Sequence, residues 1–142
     1  MKRAMFIGPI GCGKTTLMQR LKNETLKYDK TQVIEFSDNF IDTPGEYMEH
    51  HQMVNRLTTT GTDADIIVLL QSVVDRRLVY PAGYCSAFNK PCVGLITKLD
   101  LDDKPADIEY SKKVLLSAGV KKVIAISAVS GKNIDKVHAL LR

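Results

Sequence analysis

Gly8-Pro9-Ile10-Gly11-Cys12-Gly13-Lys14-Thr15 follows the apolar run Ala4 to Ile7 and opens a helical pattern from about Lys14 to Asn23. The spacing fits G-x-x-x-x-G-K-[ST], and each fixed position has a physical task. Glycines let the backbone turn tightly and bring its N–H groups onto phosphate oxygens. The helix that follows turns its positive end toward the same anion. Lys14 is placed to neutralise the β and γ phosphates of a nucleotide, and the Thr15 hydroxyl to ligate Mg²⁺. The expected phosphate-binding set is Gly8, Gly11, Cys12, Gly13, Lys14, Thr15 and Thr16. Cys12, at a variable position of the loop, reads as a small buried filler rather than a redox sensor.

Outward from this loop, short apolar runs alternate with helical patterns. Asp65 to Leu70, Pro91 to Thr97 and Val123 to Ile126 are continuous rather than alternating, as strands buried on both faces are. Val33 to Phe36 and Phe40 to Ile41 read as two short strands around the turn Ser37-Asp38-Asn39. Helical readings fall on Glu46 to about Thr60, on Ala82 to Phe88 as a short piece, and on Asp107 to Ala118 before Gly119. A last helix runs from Asn133, read as its cap, to Leu141, with Ile134, Val137 and Leu141 on one face. Strand–helix alternation predicts a three-layer α/β sandwich, with a mostly parallel sheet of about six strands and Val33 to Phe36 antiparallel. Ligands of such a sheet bind at the carboxyl ends of its strands.

The 142 residues fit one domain spanning 1–142, with 44% apolar and 25% charged residues. That balance excludes wholesale disorder, and no apolar run reaches the length of a membrane span. The basic and apolar N-terminal stretch meets glycines too early, and without a cleavage site, for a secretory leader. Lys and Arg number 20 against 16 acids, a formal net charge of +4. They are scattered as a solvated surface is, so neither a nucleic-acid nor a membrane partner is expected. Three cysteines without CxxC spacing fit reduced thiols in a cytoplasm.

Three further signals occur in order. Asp42-Thr43-Pro44-Gly45 closes a strand with D-x-x-G; Asp42 can hold the Mg²⁺ shell, and the Gly45 N–H can meet a γ-phosphate. Thr97-Lys98-Leu99-Asp100 closes a later strand and Ser127-Ala128 the last one. Together with the phosphate loop, this set resembles the small, Ras-like GTPase branch of P-loop proteins, whose base-binding motif is [NT]-K-x-D followed by S-A. The resemblance implies a base-binding set of Thr97, Lys98, Asp100, Ser127 and Ala128. In it, Asp100 pairs with the guanine N1–H and 2-amino groups, Lys98 lies along the base, and the Ala128 N–H meets O6. A carboxylate accepts two hydrogen bonds from guanine but faces an acceptor at adenine N1. Lys30-Thr31-Gln32, Ile41 to Tyr47, Phe88-Asn89-Lys90-Pro91 and Thr97 to Asp100 look more closely like the ethanolamine-utilisation P and propanediol-utilisation V family. That resemblance covers nearly the whole chain. It implies Mg²⁺ with GTP or GDP, ATP remaining open, a cytoplasmic location, and microcompartment shell or pathway proteins as partners.

The chain also departs from the GTPase pattern. The stretch from Lys14 to Asp42 is short for a first switch; Thr31 is the candidate threonine for Mg²⁺, with Thr25 the runner-up. Glu46 follows Gly45 where many GTPases carry a water-orienting glutamine. A carboxylate there adds repulsion beside the γ-phosphate and donates no hydrogen bond, though with a raised pKa it could act as a base. The catalytic candidates are thus Lys14, Gly45 and Glu46. Arg76 and Arg77 read as solvated rather than as a built-in finger, so unassisted hydrolysis is expected to be slow. His50 and His51 read as a solvated face beside Glu46 and Glu49, and Met48 and Met53 as core. Three functions compete: a guanine-nucleotide switch, a small-molecule kinase acting on an acceptor such as a carboxylate, and a positioning module without turnover.

Overall fold

A computed structural model describes residues 2–26, 40–42, 64–77 and 80–141, with 24–26 and 40–42 described by their backbone alone. The expected antiparallel strand at Val33 to Phe36 and the helix at Glu46 to about Thr60 lie outside these residues. Five strands are described: β1 (Ala4–Ile7), β2 (Phe40–Asp42), β3 (Ile66–Ser72), β4 (Cys92–Thr97) and β5 (Val123–Ala125). Three helices accompany them: α1 (Lys14–Leu26), α2 (Pro105–Ala118) and α3 (Ile134–Leu141), with a 3-10 turn at Tyr84–Ala87. The sheet order is β2-β1-β3-β4-β5, and every pairing is parallel.

Strand residues alternate between two cores, which is why the apolar runs are continuous. Met5, Ile7, Ile67, Leu69 and Ile96 face a cluster completed by the 3-10 turn and by Val114, Leu115 and Ala118 of α2. Ala4, Phe6, Val68, Leu70 and Leu95 face the opposite cluster, completed by Leu17 and Leu21 of α1 and by Ile134, Val137 and Leu141 of α3. The three layers are therefore as expected. On the first face α2 lies close to β4, because a side chain at Gly94 would meet Leu115 at 3.0 Å.

The element boundaries differ in detail from the sequence reading. Helix α2 begins at Pro105, earlier than expected, since proline at a first helical position has its φ preset and no N–H to leave unpaired. It ends where expected, with the Gly119 N–H donating to the Leu116 carbonyl at 3.0 Å. The Ala82 to Phe88 segment holds only the short 3-10 turn. Asn133 does precede α3, but its side-chain amide donates to the Ala125 carbonyl at 2.8 Å, so it ties the loop to β5. No helix among the described residues is long and apolar enough to cross a membrane.

Candidate nucleotide site

β1 is an interior strand, with β2 on one side and β3 on the other, so the connections diverge at its carboxyl end. Divergence of this kind opens a crevice at the strand ends. The phosphate loop begins there, directly after Ile7. A side chain at Gly8 would overlap Cys12 Sγ, and Gly11 and Gly13 take φ of 83° and 90°, a region that disfavours other residues. The Cys12 N–H donates to the Pro9 carbonyl at 3.2 Å, and the Leu17 N–H to the Gly13 carbonyl at 2.9 Å, starting α1. Lys14 is buried in the first turn, whereas Thr15 and Thr16 are exposed. Cys12 is 3% exposed, and burial pushes its thiol above the ordinary value, consistent with an inert filler.

Two loops meet beside this one. At the end of β4, the Thr97 hydroxyl donates to the Cys12 carbonyl at 2.6 Å. Lys98, with φ of 67°, donates from Nζ to the Gly11 carbonyl at 2.6 Å. A lysine in the left-handed region is strained, and these contacts hold it there. After β5, the buried Ser127 hydroxyl donates to the Asp100 carboxylate at 2.9 Å and accepts the Ser130 N–H at 3.1 Å. The Leu99 N–H donates to the Ile126 carbonyl at 3.2 Å. The expected base-binding residues are thus gathered at one place, Asp100 exposed and oriented by Ser127.

A cleft of about 260 Å³ joins the two halves, running from Gly13 and Thr16 past Lys98 and Asp100 to Ala128. The structure adds walls that sequence reading missed. Leu17 and Ile126 line the cleft from within, and Leu101 and Val129 rim it at 64% and 68% exposure. Leu101 and Val129 adjoin Asp100 and Ala128 in sequence, so an apolar residue next to each motif is the signal the chain offers. Tyr80 was also missed. Its buried hydroxyl lies 2.6 Å from the Leu70 carbonyl and 3.1 Å from that of Ile7, bracing β1 against β3 beneath the phosphate loop. Burial raises its pKa well above the ordinary value, so it remains a donor.

Asp42 ends β2 and pairs in register with Phe6, which brings its backbone to the same sheet edge as the phosphate loop. The Thr15 hydroxyl and a carboxylate at Asp42 are hard oxygen donors, the kind that Mg²⁺ takes together with phosphate oxygens. Thr31, Gly45, Glu46, His50 and His51 lie outside the described residues, as do Met48 and Met53. Among the described residues no group of three or more His, Cys, Asp or Glu could hold a metal by itself. Arg76 and Arg77 are half exposed but not simply solvated. Arg76 pairs with Asp107 and lies 4.8 Å from the centre of the Tyr110 ring, and Arg77 pairs with Asp75 at 2.9 Å.

Comparison with known proteins bears on the family and the fold. The family model PduV-EutP, described as ethanolamine utilisation – propanediol utilisation, matches residues 1–142. The propanediol utilization protein PduV of Citrobacter freundii is 39% identical over 141 residues, covering 99% of this chain and 93% of that protein. The probable acetate kinase EutP of Escherichia coli (strain K12) is 37% identical over 124 residues, covering 86% and 77%. Among solved structures, a variant of Aquifex aeolicus Era bound to GDP·AlF4⁻ matches 99% of this chain with a TM-score of 0.64 at 18% identity. Era with MgGDPNP and 16S ribosomal RNA nucleotides matches with a TM-score of 0.63, also at 18% identity. The chain spans 56% and 55% of those two proteins, and the likeness is one of fold: a P-loop GTPase sandwich.

Proposed function

The chain belongs to the PduV-EutP family, and from that premise we propose that it is a Mg²⁺-dependent guanine-nucleotide switch with slow GTP hydrolysis, serving ethanolamine or propanediol utilisation. The observation that carries this reading is the cleft itself. One end is the phosphate loop, the other is Asp100 held by Ser127, and Thr97 and Lys98 tie the two together. In this reading the Asp100 carboxylate accepts from guanine N1–H and the 2-amino group, and the Ala128 N–H donates to O6. Lys14 and the loop amides take the phosphates, while Thr15, Asp42 and Thr31 hold the ion. An Mg²⁺ ion held there would supply positive charge against the phosphates during hydrolysis. The Gly45 N–H meets the γ-phosphate, and its departure releases the segments around Thr31 and Asp42 to Tyr47. Glu46 in place of an amide donor, and the ion pairs that hold Arg76 and Arg77, make unassisted turnover slow. The protein acts in the cytoplasm, on microcompartment shell or pathway proteins. Hydrogen exchange tests the switch: a non-hydrolysable GTP analogue with Mg²⁺ is expected to protect residues 31 and 42–47 more than GDP does. Equal protection contradicts it.

A second reading is favoured by one finding, the name probable acetate kinase borne by the Escherichia coli relative. Here a carboxylate oxygen attacks the γ-phosphorus, the bond to the β–γ bridging oxygen breaks, and a nucleoside diphosphate leaves as an acyl phosphate forms. Acetate-dependent release of GDP or ADP with stoichiometric acetyl phosphate would move this reading to first place. Release of inorganic phosphate alone, indifferent to acetate, would remove it.

A further inference from the structure

Arg20 sits on the second turn of α1, the helix that starts at the phosphate loop, and belongs to none of the motifs. Its guanidinium reaches across to the loop between β5 and α3, where Nη1 lies 3.5 Å from the Val129 carbonyl oxygen. The same group fills the space under Gly131. A Cβ built there would overlap Nη2 and lie 3.3 Å from Cζ. Gly131 also takes φ of 87°, so the loop has a backbone shape that favours glycine and leaves room that the guanidinium occupies. From above, the loop is closed by the Gly131 N–H donating to the Ser127 carbonyl at 2.9 Å. Arg20 closes it from below. Between these two supports lie Ala128, on the wall of the cleft, and Val129, whose exposed side chain forms the rim.

We propose that Arg20 is a positioning residue for base recognition, holding the loop 127–131 so that the Ala128 N–H stays directed at the 6-oxygen of a bound guanine. The inference rests on the guanine reading and adds a residue to it. A backbone amide discriminates between bases only when its direction is fixed before the base arrives; a loop free to relax follows whatever acceptor is offered. A planar, permanently charged fork suits a carbonyl on a tight turn better than a flexible ammonium does. Because α1 also carries Lys14 and Thr15, one rigid helix sets both the phosphate end and the base loop.

The test compares GDP with 6-thio-GDP, which keeps N1–H and the 2-amino group but replaces the 6-oxygen with a larger, weaker acceptor. Wild-type chain is expected to prefer GDP by ~10-fold or more, and Arg20→Ala to bring the two near parity. Affinity for Mg²⁺-tripolyphosphate stays unchanged, and Arg20→Lys recovers part of the preference. Arg20→Met, which keeps the aliphatic stem, carries the same expectation if the alanine variant does not fold. A merely structural role would lower the melting temperature and leave the ratio alone; that result overturns the proposal while the guanine reading stands. Wild-type chain that binds GDP and ADP equally overturns the guanine reading, and the role of Arg20 with it.

Discussion

The two ends of the cleft are built in opposite ways. The phosphate end is local: a strand, eight consecutive residues from Gly8 to Thr15 and the first turn of α1 supply it. The base end is assembled from distant segments. Asp100 and Ser127 are 27 positions apart, and the ties from Thr97 to Cys12 and Lys98 to Gly11 span 85 and 87 positions. On the proposed reading, local backbone geometry sets phosphate binding, whereas base selectivity depends on the sheet bringing β4 and β5 beside β1. Damage to the first end should abolish binding of any nucleotide. Damage to the second should blur the choice between bases and leave the phosphates held.

The largest effect is expected at the local end. Lys14→Ala removes the cation proposed to face the phosphates, and calorimetric titration should show GTP and ATP affinity both falling by ~100-fold or more. Selective loss for one base would break the division of labour. The tie between the ends is the next most informative. Thr97→Val keeps the shape of the side chain but leaves the Cys12 carbonyl without its donor, at a cost of about 1–2 kcal/mol in denaturant unfolding. Affinity for GDP and ADP should then fall together by several-fold, since the phosphate loop itself loses support. An unchanged affinity would mean that the two ends work independently.

The smallest effect lies outside the cleft. The hydrogen bond from Arg77 holds the Asp75 carboxyl below its ordinary value of 3.8. A depressed acid stabilises the fold above its unfolded value, and that contribution is lost as pH falls through the folded value. Arg77 is 54% exposed, so screening keeps the pair below about 1 kcal/mol. Arg77→Ala should lower stability slightly at neutral pH, and the difference from wild type should fade in acid as Asp75 becomes protonated in the folded chain. A difference that persists in acid would assign the effect to packing instead.

The same contrast decides what could be read from the chain. The phosphate loop was legible because its residues are contiguous and each position has its own physical reason. The parallel core was legible because strands buried on both faces are continuously apolar, as Ile66–Ser72 is from end to end. For the base end, the motif Thr97 to Asp100 could be found, but not what holds it. That Ser127 orients Asp100, that Thr97 reaches Cys12, and that Arg20 lies under Gly131 are facts of tertiary packing with no periodicity to betray them. Tyr80 was invisible for the same reason: a buried hydroxyl shared between the ends of β1 and β3 has no sequence signature. The Pro105 start of α2, two residues before the expected Asp107, is legible in principle, since proline in a first turn is favoured.

The central claim is that one cleft binds phosphate at one end and selects guanine at the other through Asp100. Titration of wild-type and Asp100→Ala chain with GDP and with ADP, both with Mg²⁺, tests it most directly. The account predicts wild-type preference for GDP by ~100-fold, lost in Asp100→Ala through weaker GDP binding while ADP binding stays level. Equal binding of GDP and ADP by wild type, or a preference that survives Asp100→Ala, would contradict it.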